Sequence, residues 1–139
     1  MTTGAIYLRQ PFKEQNTVSA ANTNRDGTGT IVTIATGQST AAESVGKRVN
    51  RVTAKATVST TAGMLRFFES LDGGSTWKFK TELVVDAITV GADTASFYGE
   101  VPELIGLILV DSNHKLGCAT HNAETFHVHV ELGGFTSNS

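Results

Sequence analysis

Cysteine is nearly absent. Cys118 stands alone in 139 residues, which excludes a disulfide within the chain. Its neighbours Leu116, Gly117 and Ala119 are small or apolar, a setting for a buried, unreactive thiol. Charge is scarce as well. Asp, Glu, Lys and Arg together make up 17% of the residues, below the roughly 25% usual for soluble domains. The formal net charge is -2, and no basic run or basic-aromatic stripe appears, so direct contact with nucleic acid is not expected. No apolar run approaches the roughly 20 residues of a membrane span. Met1-Thr2-Thr3-Gly4-Ala5 lacks the basic start and apolar core of a signal peptide. These absences predict a chain made in the cytoplasm, with no membrane partner.

Thr, Ser, Ala, Val and Gly fill the composition instead, a mixture suited to strands, tight turns and weakly charged surfaces. Residues 1–27 read as an extended arm. They hold Pro11 and a polar tract from Gln15 to Asn24, too polar to form a core of its own. From Thr28 the pattern is that of strands. Thr30 to Thr36 is rich in β-branched residues, and Val49 to Ser59 places Val52, Ala54, Ala56 and Val58 on one face. Met64–Ser70 and Trp77–Val85 form a hairpin around Asp72-Gly73-Gly74-Ser75, with Trp77, Phe79, Leu83 and Val85 sharing a face. Thr94 to Val101 alternates again. Leu104 to Val110 is apolar and short enough for a buried strand. Leu116 to Ala119 is brief. Thr125 to Leu132 closes the series, with Phe126, Val128, Val130 and Leu132 inward and Thr125, His127, His129 and Glu131 outward. About eight short strands without helical periodicity indicate an all-β, jelly-roll-like sandwich of two sheets, with an immunoglobulin-like sandwich as the alternative. The division is then an arm at 1–27, the sandwich at 28–135 and a tail at 136–139.

Three features invite chemistry. Ser70, Asp72, Gly74, Thr76 and Trp77 fit the pattern S-x-D-x-G-x-T-W, which resembles the Asp-box hairpin of sialidase propeller blades. In such a hairpin the carboxylate accepts backbone N–H groups across the turn and the tryptophan packs beneath it. That role is structural, and one box in a chain this short does not make a propeller. His127 and His129 share a strand face and have the spacing of a zinc pair, yet zinc needs further ligands from His114, His121 or Glu131. The plainer expectation is a polar outer face, and no metal is assigned. Ser, His and Asp occur without a G-x-S-x-G elbow, a P-loop or a dinucleotide fingerprint. We expect no catalytic residues, no cofactor and no enzyme activity. The densest basic cluster, Lys47, Arg48, Arg51 and Lys55, fits one face of a strand.

Two stretches carry a family likeness. Arg51 to Phe68 contains Thr60-Thr61-Ala62-Gly63-Met64-Leu65-Arg66-Phe67-Phe68, and Ala119 to Phe135 contains Ala119-Thr120-His121-Asn122-Ala123-Glu124-Thr125-Phe126. Together they resemble a family of small tailed-bacteriophage virion structural proteins. The resemblance implies a decoration (cement) protein on the capsid surface, acting as a homotrimer with the major capsid protein as partner. A tail or spike adhesin that binds host carbohydrate is the alternative. Candidate subunit or capsid contacts are Tyr7, Arg9 and Phe12 in the arm and His127, His129 and Glu131 on the last strand. The full Asp box and the two histidines depart from the family pattern.

Overall fold

The core is built by alternation. In Phe126–Ser137 (β9), Phe126, Val128, Val130 and Leu132 are buried while His127 and Glu131 are exposed, as a strand with one wet face requires. The computed structural model describes residues 6–37 and 46–137, with side chains from 11 to 37 and from 46 to 135. The other strands are Ile6–Val18 (β1), Val32–Thr36 (β2), Lys47–Ala56 (β3), Gly63–Ser70 (β4), Lys78–Val85 (β5), Tyr98–Glu100 (β6), Ile108–Leu109 (β7) and Lys115–Thr120 (β8), with a 3-10 turn at Pro102–Leu104.

One sheet has the order β1-β9-β3-β6, with β7 also paired to β3, and the other has the order β2-β8-β4-β5. All strand pairs in both sheets are antiparallel. β6 and β7 lie along the same edge of β3, as two halves of one broken strand. Counted together they leave the interleaved order of a jelly roll. An immunoglobulin-like sandwich keeps its first two strands in one sheet; here β1 and β2 lie in different sheets. Between the sheets, Leu65, Phe67, Ile34 and Leu116 of the second meet Val52, Val128, Val130 and Leu132 of the first. Phe97 meets Phe126 edge-on, with ring centroids 6.2 Å apart.

Bulges move side chains between faces. Asn50 is the unpaired residue on β3, so Val49 and Val52 both point inward. Lys80 is the unpaired residue on β5, which turns Thr81 inward and leaves Phe79 40% exposed. Phe79 is therefore not on the inner face with Leu83 and Val85. Its ring packs instead on the outward Phe68, at 5.8 Å. A one-residue insertion reverses the parity of everything beyond it.

The arm needs correction. Ile6–Val18 is the edge strand of the first sheet, paired with β9 along its length. Its inward side chains tie it to β2 in the opposite sheet. Asn16 Nδ2 donates to the Ile34 carbonyl (3.2 Å), and the Thr36 N–H donates to Glu14 Oε2 (3.1 Å). Burial raises the Glu14 carboxyl from its ordinary value, opposed by the Thr36 N–H and by Lys47. Beyond Val18 the chain crosses the outer face of the second sheet, so no boundary falls at 27. The buried Asn22 holds that crossing. Its N–H donates to Thr120 O (2.8 Å), and its amide donates to the carbonyls of Thr28 and Thr30. Nor does the sandwich end at 135, because β9 runs to Ser137.

The segment from Leu104 to Val110 is not one buried strand. Pro102 opens a 3-10 turn, and Gly106 has φ +94°, a left-handed conformation that breaks an extended run. Leu104 and Leu109 are buried, while Ile105, Ile108 and Val110 are exposed. The excursion stays tied to β3 through Val101 N–H to Val52 O, Val49 N–H to Leu107 O and Gly106 N–H to Val49 O.

Candidate functional site

The outer face of the first sheet carries the last-strand residues singled out from the sequence. Strand register sets them in rows. Lys13, Glu131 and Arg51 form one row across β1, β9 and β3. Gln15, His129, Thr53 and Glu100 form the next, reaching β6. Thr17, His127, Lys55 and Tyr98 form the third. Opposite charges adjoin in the first row, a favourable cross-strand arrangement. At the β6 end, Arg51 Nε donates to Glu100 Oε1 (3.0 Å) and Nη2 to the Tyr98 hydroxyl (3.1 Å). The hydrogen bond from Arg51 holds the Glu100 carboxyl below its usual range, and Glu100 in turn raises Arg51.

His127 and His129 lie side by side in this face, flanking a shallow depression of about 180 Å³ with Gln15 and Thr17. The further histidines are elsewhere. His114 is buried at one end, where its Nδ1 accepts the Val110 N–H (3.0 Å) and its Nε2 faces Glu69. His121 packs against the second sheet beside Arg66. Among the described residues no three His, Cys, Asp or Glu side chains gather as metal ligands would. Cys118 is fully buried, and burial raises its thiol pKa.

Of the three arm residues, only Phe12 has a described side chain. Phe12 points inward, packs against the core and lies under the Lys47 ammonium, 4.1 Å from the ring centroid. Arg9 is the unpaired residue of a bulge, and the Tyr7 backbone pairs with Thr136. The side chains of Tyr7 and Arg9 lie outside the described residues.

The Ser70–Trp77 hairpin closes on its own side chains. The Thr76 N–H donates to Asp72 Oδ1 (2.8 Å), the Ser70 hydroxyl donates to the same oxygen (2.8 Å), and the Gly74 N–H donates to Ser70 Oγ (2.9 Å). Gly73 and Gly74 both have positive φ. The Trp77 ring contacts the turn at Gly74 but also covers β8. A Cβ on Gly117 would lie 2.8 Å from Trp77 Cζ3 and 2.6 Å from Ile31 Cγ2. The hairpin, the crossing segment and the outer face of the second sheet are thus one packed unit. The Thr76 N–H, followed by Ser70, lowers the Asp72 carboxyl from its ordinary value. A lowered carboxylate stabilises above the ordinary Asp range, and that contribution is lost as pH falls through the lowered pKa. Asp72→Ala is expected to speed amide exchange at Thr76 about 5–10-fold at neutral pH, with little change at β9. Hydrogen exchange read residue by residue checks it.

A second cluster had only one signal in the sequence, a lone arginine inside the apolar run Met64 to Phe68. Arg66 is 3% exposed. Its Nη1 donates to His121 Nδ1 (3.2 Å), which geometry assigns as the Nε2–H tautomer, and approaches the Asn22 carbonyl at 3.5 Å. Nε lies 3.4 Å from Glu82 Oε1 but is buried without a hydrogen-bond partner, an arrangement that costs about 1–3 kcal/mol or more for a charged group. Glu82 also pairs with Arg25 at 3.0 Å. Burial lowers Arg66 from its ordinary value, Arg25 adds to that, and Glu82 opposes it.

No described helix is long and apolar enough to cross a membrane. No protein-family model matches the chain. No curated protein matches its sequence. Among solved structures, the chain is similar to a chain of the cyanophage Pam1 capsid asymmetric unit, at 17% identity and a TM-score of 0.38, over 94% of this chain and 86% of that one.

Proposed function

We propose that this protein is a bacteriophage capsid decoration protein that binds the outer head surface through the outer face of its first sheet and stabilises the shell as a homotrimer. The observation that carries this is the face itself: three rows of polar side chains spread over four strands, with opposite charges adjoining in the first row and Arg51 paired to Glu100 at its β6 end. Covering Arg51 and Glu100 costs less desolvation than covering two free charges, because each already has its partner. The stretches resembling virion structural proteins supply the middle of both sheets, since Arg51–Phe68 covers most of β3 and β4, and Ala119–Phe135 covers the end of β8 and most of β9. The work is done by surface, without catalysis or a cofactor. Weak contacts repeated over a shell add to a strong hold. On this proposal the protein is a virion component whose partners are its own copies and the major capsid protein.

Thr17 and His127 are both exposed, so Thr17→Trp and His127→Glu change the face without touching the core. Each is expected to lower occupancy of purified undecorated heads at least 10-fold, with the melting temperature within about 3 °C of the parent. Co-sedimentation with heads measures it. Full occupancy in both variants removes this face from the account. Tyr98, 49% exposed beside Arg51 and Glu100, favours a second reading, a tail or spike module that binds host carbohydrate on an aromatic platform. Glycan binding without head binding selects that reading.

A further inference from the structure

Two of the four histidines are committed to the fold. His114 Nδ1 accepts the Val110 N–H and its Nε2 faces Glu69, and His121 Nδ1 accepts from Arg66. His127 and His129 are not committed. Neither ring makes a hydrogen bond or ion pair among the described residues, and both line the depression of about 180 Å³ on the outer face of the first sheet. The strand fixes their relation. β9 carries no extra residue between them, so both side chains leave the same face. A strand rises about 3.3 Å per residue, which sets their Cβ atoms roughly 7 Å apart. Two imidazoles leaning together across that gap reach one ion at the roughly 2.0–2.1 Å of a metal–nitrogen bond.

The surroundings leave room for an ion. Gln15 stands opposite His129 and Thr17 opposite His127 on β1, and each brings an oxygen able to orient a ring N–H or a bound water. Lys55, opposite His127 on β3, sends its ammonium to the Ser96 carbonyl (3.3 Å), towards β6 and away from β9. Glu131, two residues beyond His129, lies between Lys13 and Arg51. We propose that His127 and His129 chelate a single divalent transition-metal ion of the zinc, nickel or copper class, with water in its remaining positions. Imidazole nitrogen suits these ions, whereas magnesium and calcium take oxygen ligands. No third His, Cys, Asp or Glu gathers there among the described residues, so the site is an open one with exchangeable positions. It belongs to the isolated chain and stands whether or not this face meets a capsid.

Zinc chloride titrated into the whole untagged chain at neutral pH, followed by two-dimensional NMR and by calorimetry, tests it. Saturable shifts are expected at His127, His129, Gln15 and Thr17, with one ion per chain and no shift at His114 or His121. Copper should bind more tightly than zinc, and magnesium should leave the signals in place. His127→Gln and His129→Gln should each weaken zinc at least about 10-fold, because one ring alone loses the second binding event that its neighbour makes intramolecular. Both substitutions lie on the outer face, so the melting temperature should stay within about 3 °C of the parent. The positions of the shifted signals in the parent chain carry the test where a variant does not fold. No saturable shift, shifts centred on His114 or His121, copper weaker than zinc, an equal response to magnesium, or a loss below about 10-fold in either folded variant each overturns the proposal.

Discussion

Removal of residues 1–18 is expected to unfold the protein instead of trimming it. The deletion takes away β1, the partner of β9 from Phe126 to Ser137. It removes Val18, which is 1% exposed, and burying one such side chain stabilises by about 1.5–3 kcal/mol. It removes Phe12 from the core and the ladder along β9. It also removes the Asn16 and Glu14 bonds that join β1 to β2 across the sandwich. What is left exposes one edge of β9 and the end of the core. Against a total stability of about 5–15 kcal/mol, losses of that kind leave no cooperative fold. Circular dichroism melting of the truncated chain checks this. A sharp transition within about 5 °C of the parent would contradict the place given to β1.

Phe67→Ala is the most damaging point substitution expected. Phe67 is fully buried, faces the first sheet from β4, and is flanked by Thr81 on β5 and Cys118 on β8. The substitution opens a cavity between two sheets that strand pairing holds in register, so collapse around it is limited. The cost is about 3–5 kcal/mol, or a fall in melting temperature of roughly 10–20 °C for a chain of this size. Phe79→Ala, by contrast, removes a 40% exposed ring and should cost about 1 kcal/mol through its edge contact with Phe68. Urea denaturation of both variants gives the comparison. Equal losses would mean that the bulge at Lys80 is misplaced and that Phe79 shares the inner face.

That pair of phenylalanines shows what was legible in the sequence and what was not. Alternation from Phe126 to Leu132 states the faces of β9 correctly, because β9 itself carries no extra residue there; the bulge opposite it, at Asn50, lies in β3. The same alternation misplaces Phe79, because a bulge leaves no mark in hydrophobic pattern. β1 was missed for a different reason. Its inward positions include Glu14 and Asn16, which look like surface residues but satisfy the Thr36 N–H and the Ile34 carbonyl. A polar residue bonded to an opposing backbone group breaks the alternation a strand normally shows. The order of the strands was not legible either. Most connections in a jelly roll cross between sheets, and among the named strands only β4 to β5 is a hairpin within one.

For the candidate site, parity alone placed His127, His129 and Glu131 on one outer face. The β1 part of that face, Lys13, Gln15 and Thr17, needed β1 to be recognised as a strand. The Arg66 cluster needed more. It exists because the polar segment after Val18 folds over the second sheet and brings Asn22 and Arg25 to Arg66, contacts separated by some forty residues of sequence. A lone arginine in an apolar strand signals that something covers it, but not which segment.

On the proposed function, the outer face of the first sheet meets a capsid. Cryo-electron microscopy of intact particles tests it most directly. Density for this jelly roll is expected on the outer surface of the head, grouped in threes, with His127, His129 and Glu131 buried against the coat protein or a neighbouring copy. Density on the tail, or on the head with that face turned to solvent, would contradict it.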